Sequence, residues 1–335
     1  MNNPPSRQQA KVRFKDPLTK KYIAEGMLLF AAIATGVFIF CWFRVWVVGE
    51  FDTAQFRQII DLLPKDWRKF ASVDFDWLVS YLGRTSLTLD EPMLVMLVCA
   101  WGLVRGSDVV SGEIGRGTME MLLSQPIGRR QLYLKHARLT IFFLGLLVCI
   151  CWLAMSLGIW TTSVEESTYP EIRIPVFDYR IPLSFLPART ETVAMGSVVN
   201  PIAFLPGLIN LFCLGFCLSG FAAFCSSLDR YRWRTLGIAA AFFFSNVGMK
   251  VMGMGSEKLA WIKHCSVFGQ FHPARAIEQV QSNPWALIWL VETGPDGEWV
   301  DLGILGNCLI LLTLGTLLYW IGLRIFIKRD VPAPM

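Results

Sequence analysis

Long apolar stretches alternate with short charged ones along the 335 residues of the chain. A helix needs about 20 apolar residues to cross the hydrocarbon layer of a bilayer. Residues 139–160, 201–228 and 302–323 reach that length without a single Asp, Glu, Lys or Arg. Residues 26–49 do so with one exception, Arg44, which can snorkel outward beside Trp42 and Trp46 as interfacial anchors. Residues 235–254 carry one cation, Lys250. The sixth candidate, 85–110, is the weakest, because its apolar centre is bracketed by Asp90 and Glu91 on one side and by Arg105 and Asp108 on the other. A re-entrant segment competes with a full span there.

Charge parity decides between them. With six spans, the pieces 1–25, 105–138, 229–234 and 324–335 share one side and hold 18 Lys plus Arg against 7 acids; the rest of the chain holds 13 against 19. Cytosolic loops carry the excess of Lys and Arg, so that side is the cytosol. Without the second span, Arg116, Arg129, Arg130, Lys135 and Arg138 would lie outside. The expected fold is an all-α membrane protein, one transmembrane domain over 1–335. It has six transmembrane helices, a multi-pass placement in the cytoplasmic membrane, and cytosolic N- and C-termini.

Composition agrees: 54% of residues are hydrophobic and 17% charged, against roughly a quarter charged in a soluble domain. Eight of the nine cysteines fall in apolar segments, where they act as small hydrophobes rather than a disulfide framework or zinc site. No cleavable signal peptide is recognisable, since the polar stretch before the first apolar run is about 25 residues long and no small-residue cleavage site follows.

Three external segments remain, at 50–84, 161–200 and 257–300. Phe56, Ile59, Ile60 and Leu63 in the first have helical spacing. The second, punctuated by Pro170, Pro175, Pro182 and Pro187, reads as irregular with short strands. The aromatic load of the third suits interfacial or re-entrant helices. The N-terminal 1–25 stretch interleaves Lys11, Arg13, Lys15, Lys20 and Lys21 with Val12, Phe14 and Leu18, which suits an interfacial helix on anionic headgroups and not a nucleic-acid-binding module.

The most patterned region is the elbow 111–136, SGEIGRGTMEMLLSQPIGRRQLYLKH, between spans two and three. Its spacing predicts a helix over 111–125 with Ser111 as N-cap and Glu113 in the first turn. Ile114, Thr118, Met121 and Leu122 then share one face, and Glu113, Arg116 and Glu120 share another at pairing distance. Gln125-Pro126 ends it, Gly128 allows a reversal, and a second helix starts at Arg129. Pattern leaves two readings open: an amphipathic hairpin on the lipid surface, or a helix that docks a soluble partner.

The elbow resembles the signature of the ATP-binding cassette (ABC) transporter permeases of the second type. The matching residues are Gly112, Glu113, Arg116, Gly117, Thr118, Glu120, Leu122, Leu123, Pro126, Ile127, Arg129 and Lys135. His272-Pro273-Ala274-Arg275-Ala276 before the last span is similar to a family element with an acid or aromatic at the first position, and the Arg329-Asp330-Val331-Pro332-Ala333-Pro334 tail is similar to that of many members.

The resemblance implies a half-transporter that pairs with a second permease, usually another copy of itself, over two separate ABC ATPase subunits. The elbow would be a coupling helix seated in a groove of the ATPase, with Glu113, Arg116, Gly117, Thr118, Glu120, Leu122, Leu123, Pro126 and Arg129 forming the contact, and Asp229 and Arg230 forming a smaller one. Members lacking a binding-protein partner mostly export.

The chain has no glycine-rich loop ending in Gly-Lys-Ser/Thr to hold phosphates, so it is not expected to be an enzyme by itself. ATP and Mg would bind the partner, leaving no cofactor or metal in this chain. An ion-gradient-driven secondary transporter is one rival, although the mid-span polar residues are few: Asn210, Asn246 and Asn307. A membrane-embedded enzyme is another, with His264, His272, Asp90, Glu91 and Glu257 as candidates that no ligand spacing joins. Met249, Met252 and Met254 could offer thioethers to Cu(I), but gap-filling in a bundle is the simpler role.

Overall fold

The computed structural model describes residues 17–51, 75–168, 171–174, 179–182, 189–255, 257–293 and 299–329. Six helical runs in it are long and apolar enough to cross a membrane. Their main helices are α1 (Pro17–Glu50), α2 (Pro92–Ser107), α3 (Arg129–Thr161), α4 (Leu205–Leu228), α5 (Arg232–Gly255) and α6 (Ile304–Lys328). The second run, the doubtful one by composition, is among the longest: Tyr81–Gly115 joins a short helix, a 3-10 turn, α2, a π turn and a last helical turn into 35 residues.

The first helix departs from expectation. A separate interfacial helix over 1–25 would require a break near Gly26, yet α1 runs unbroken from Pro17; residues 1–16 lie outside the described ones. Leu18, Tyr22, Gly26, Phe30, Ile33, Val37, Cys41, Val45 and Val48 are buried at intervals of three and four, so one seam crosses the expected boundary. Gly26 lies beneath the Arg105 guanidinium, where a Cβ would come within 3.3 Å of its Cζ.

The centre of the bundle is α4, packed most extensively against α6 and α2. Between lipid tails and apolar side chains there is little hydrophobic gain, so membrane helices associate through close backbone approach at small residues. A Cβ on Gly106 of α2 would sit 2.6 Å from the Ser219 carbonyl oxygen, and one on Gly220 of α4 would sit 2.6 Å from that of Gly315 on α6. Tyr319 then donates its hydroxyl to Ser219 Oγ at 2.9 Å, a polar tie between the same two helices.

Successive spans alternate in direction. The start of α1, the elbow and the end of α6 therefore share one end of the bundle, where Lys21 meets Glu113 and Arg129 meets the Arg329 carbonyl. The opposite end carries three antiparallel strand pairs: β1 (Ser163–Thr168) with β4 (Arg189–Ala194), β2 (Glu171–Ile174) with β3 (Tyr179–Pro182), and β5 (Val291–Thr293) with β6 (Trp299–Leu302). Irregular structure with short strands was the expectation for 161–200, and the strands there pair in register. The helical pattern at Phe56–Leu63 lies outside the described residues.

Residues 257–288 fold as short helices that enter the core through Phe268, Phe271 and Ile277. Two of the mid-span asparagines fasten them. Asn210 donates to the Gln270 carbonyl at 3.1 Å and accepts from His272 N at 3.0 Å; Asn246 accepts from Val267 N at 2.8 Å. The His-Pro-Ala-Arg-Ala element opens the helix Pro273–Ser282, and Asp90, far away in sequence, accepts from Ala274 N at 3.3 Å. A carboxylate at a helix N-terminus satisfies one orphan amide and complements the dipole.

Candidate functional site: the charged elbow

The elbow is not the single helix that its spacing suggests. Past α2 the chain passes through the π turn Asp108–Gly112 and a last helical turn, Glu113–Gly115, breaks at 116–118, and resumes as a five-residue helix, Met119–Leu123. The break occurs at Gly117, which has φ +69, a left-handed conformation that costs residues with a Cβ about 1 kcal/mol or more. After Ser124 the chain reverses, and α3 begins at Arg129 with extended Gly128 as its N-cap residue.

Ser111 is therefore not an N-cap. It lies inside the π turn, fully buried, and donates its hydroxyl to the Ser107 carbonyl at 2.7 Å. The widened turn is held from α4 by Ser226, whose Oγ accepts from Val110 N at 3.1 Å and Ser111 N at 2.9 Å and donates to the Ser107 carbonyl at 2.9 Å. Gly112 is small because the Asp108 carboxylate occupies the space its Cβ would need.

Two carboxylates organise what surrounds this turn. Glu113 is fully buried. It accepts from Lys21 Nζ of α1 at 2.8 Å, from Arg116 Nη2 at 3.1 Å and from the Thr118 hydroxyl. Asp108, 3% exposed, receives Arg105 Nη1 at 3.1 Å, Arg116 Nη1 at 2.9 Å and Arg232 Nε of α5 at 3.3 Å. Arg116 thus bridges both acids, and lies 3.7 Å from Glu25 of α1. Burial works against its charge, but Asp108, Glu113 and Glu25 outweigh that and hold its pKa above the ordinary arginine value. A buried carboxylate is tolerated only when paired and hydrogen-bonded in this way.

The motif residues divide into two groups. Glu113 and Thr118 face inward, Arg116 reaches the two acids from the surface, and Leu122 is buried with Met119, Val109, Val110 and Tyr133 in a satellite core. Glu120, Gly117 and Pro126 are exposed, Leu123 is half-buried, and Met121 is 62% exposed at the tip. Of the expected face of Ile114, Thr118, Met121 and Leu122, Ile114 and Leu122 pack into that same satellite core and Thr118 is half-buried, whereas Met121, beyond the break at Gly117, is exposed. Glu113 and Arg116 do pair, whereas Glu120 makes no ion pair among the described residues.

Arg129 faces the end of α6, donating to the Ile327 carbonyl at 3.3 Å and to that of Arg329. Asp229 and Arg230 stay outside the network: the Asp229 carboxylate accepts from the Arg230 and Tyr231 amides at 2.6 and 3.1 Å, and Arg230 is exposed. Sequence reasoning missed Lys21, Arg105, Asp108, Ser226 and Arg232 as partners of the elbow. The available signal was the placement of Asp108, an acid just where a span meets a basic side.

The profile of the ABC-2 family transporter proteins matches residues 16–331, nearly the whole chain. The chain belongs to that family. It is thus the membrane-embedded permease subunit of an ABC transporter and not its catalytic subunit; such permeases generally partner with an ABC ATPase. No curated protein matches this ABC-2 permease.

Proposed function

We propose that this permease serves an ATP-driven exporter, that its elbow lies in the cytosol, and that a separate ATPase subunit holds the elbow there. A second copy of the permease completes the transporter, with Asp229 and Arg230 as the smaller ATPase contact. The observation that carries this reading is the pair of buried acids at the root of an exposed tip. Glu113 ties the elbow to α1, and Asp108 ties it to α5. A push on Met121, Glu120 or Pro126 is therefore delivered to α1, α2, α3 and α5 together. A hairpin resting on lipid needs no such linkage. The excess of Lys and Arg at this end supports the cytosolic assignment, and export is the direction implied by the family resemblance.

Native thiols offer a test of sidedness. Among the cysteines only Cys149 and Cys265 are exposed; Cys149 lies in α3, and Cys265 ends a short helix at the end opposite the elbow. A membrane-impermeant maleimide is expected to label Cys265 in intact cells, and to label a Met121→Cys variant at its new thiol only after permeabilisation. The reverse pattern would place the elbow outside and remove the ATPase reading.

A further inference from the structure

The last turns of α6 carry a cationic groove that the coupling reading does not use. A cavity of about 380 Å³ opens there, and its described lining is Trp320, Ile321, Arg324, Ile325 and Lys328. Trp320 is 52% exposed, and the Arg324 guanidinium lies over its ring at 5.0 Å from the centroid. Ile321 and Ile325, one turn apart on α6 and half-buried, complete the described lining as an apolar strip beside the two cations.

The ordinary role of basic residues in a last helical turn is to cap the carbonyls there. That role is already filled: Arg129 donates to the Ile327 and Arg329 carbonyls. Arg329 turns away to the carbonyls of Ser227 and Asp229, at 2.9 and 3.2 Å. Arg324 and Lys328 have no ion-pair partner among the described residues.

Two cations with no ion-pair partner among the described residues, spaced one helical turn apart beside an apolar strip, therefore face outward at the polar limit of a span. We propose that this groove binds an anionic phospholipid. Its phosphate would lie between Arg324 and Lys328, its glycerol against Ile325, and one acyl chain along Trp320 and Ile321 toward the middle of the span. Charge complementarity selects the anionic headgroup: a zwitterionic lipid brings its own cation, which the two basic side chains repel. The apolar strip selects a lipid over an acidic protein segment. Guanidinium–indole stacking pre-orients Arg324, which lowers the entropy cost of engaging a phosphate.

The test uses the full-length permease in nanodiscs of phosphatidylcholine with increasing phosphatidylglycerol, with retained lipids counted by native mass spectrometry. Arg324→Ala with Lys328→Ala is expected to reduce phosphatidylglycerol retention about tenfold, with phosphatidylcholine retention unchanged. Arg324→Lys is expected to keep most of it. Arg138→Ala, an exposed cation at the same end, serves as the comparison and should change nothing. Undiminished phosphatidylglycerol retention in the double variant overturns the proposal. So does equal loss of both lipids, or an equal effect of Arg138→Ala, which would mean diffuse interfacial charge. An effect seen only when an ATPase subunit is present would assign the groove to a protein instead.

Discussion

Replacing Glu113 by Gln is expected to leave the spans folded and to remove most of the influence of the permease on ATP hydrolysis by its partner. Glutamine keeps the volume and one acceptor oxygen but loses the charge that holds Lys21 and Arg116. The side chains of Lys21 and Arg116 are 28% and 34% exposed, so both can turn to water and the variant escapes the penalty of a stranded buried charge. Hydrogen bonds to charged groups contribute about 1.5–3 kcal/mol each, and partial exposure argues for the low end. A loss of about 1.4 kcal/mol already raises the population of untied elbow about tenfold. The check is a double-mutant cycle with Lys21→Met on permease-stimulated ATPase rates. Losses that overlap, so that the double variant is little worse than either single one, are expected. Fully additive losses would mean that Lys21 and Glu113 do not act as one tie.

The second large effect concerns the bundle itself. Gly220→Ala adds one carbon 2.6 Å from the Gly315 carbonyl oxygen, a backbone atom that cannot swing aside. Either α4 and α6 separate or both bend, at a cost of about 1–3 kcal/mol, typical of overpacking. Gly237→Ala on exposed α5 adds a carbon that meets nothing within 4 Å, and helix propensity favours alanine there by up to about 1 kcal/mol. Thermal unfolding in detergent should therefore shift down for Gly220→Ala and stay level or rise for Gly237→Ala. A similar shift in both would show that the close approach of α4 and α6 carries no special weight.

The six spans were legible because about 20 apolar residues in a row have few alternatives. The exceptions are instructive. Position 25 looked like a boundary because charge density falls there, yet burial of Leu18, Tyr22 and Phe30 along one seam makes 17–50 a single helix. Glu113 and Arg116 were legible as a pair from their spacing. Their partners were not, since Lys21 and Arg232 lie in other helices and only the bundle brings them to Glu113 and Asp108. Helical periodicity also cannot anticipate a left-handed glycine, so the single 111–125 helix was read where Gly117 divides it. The asparagines of α4 and α5 read as packing residues; their work is to hold the amides and carbonyls of segments distant in sequence.

The claim on which the rest depends is that a soluble ATPase grips the exposed tip of the elbow. A photo-crosslinking amino acid placed at Met121, 62% exposed at that tip, tests it in membranes that hold both subunits. Ultraviolet irradiation should give a covalent adduct of permease and ATPase, and the same probe at Trp160, 71% exposed near the opposite end, should give none. Crosslinks from Met121 to lipid alone, with the ATPase present and active, would contradict the account.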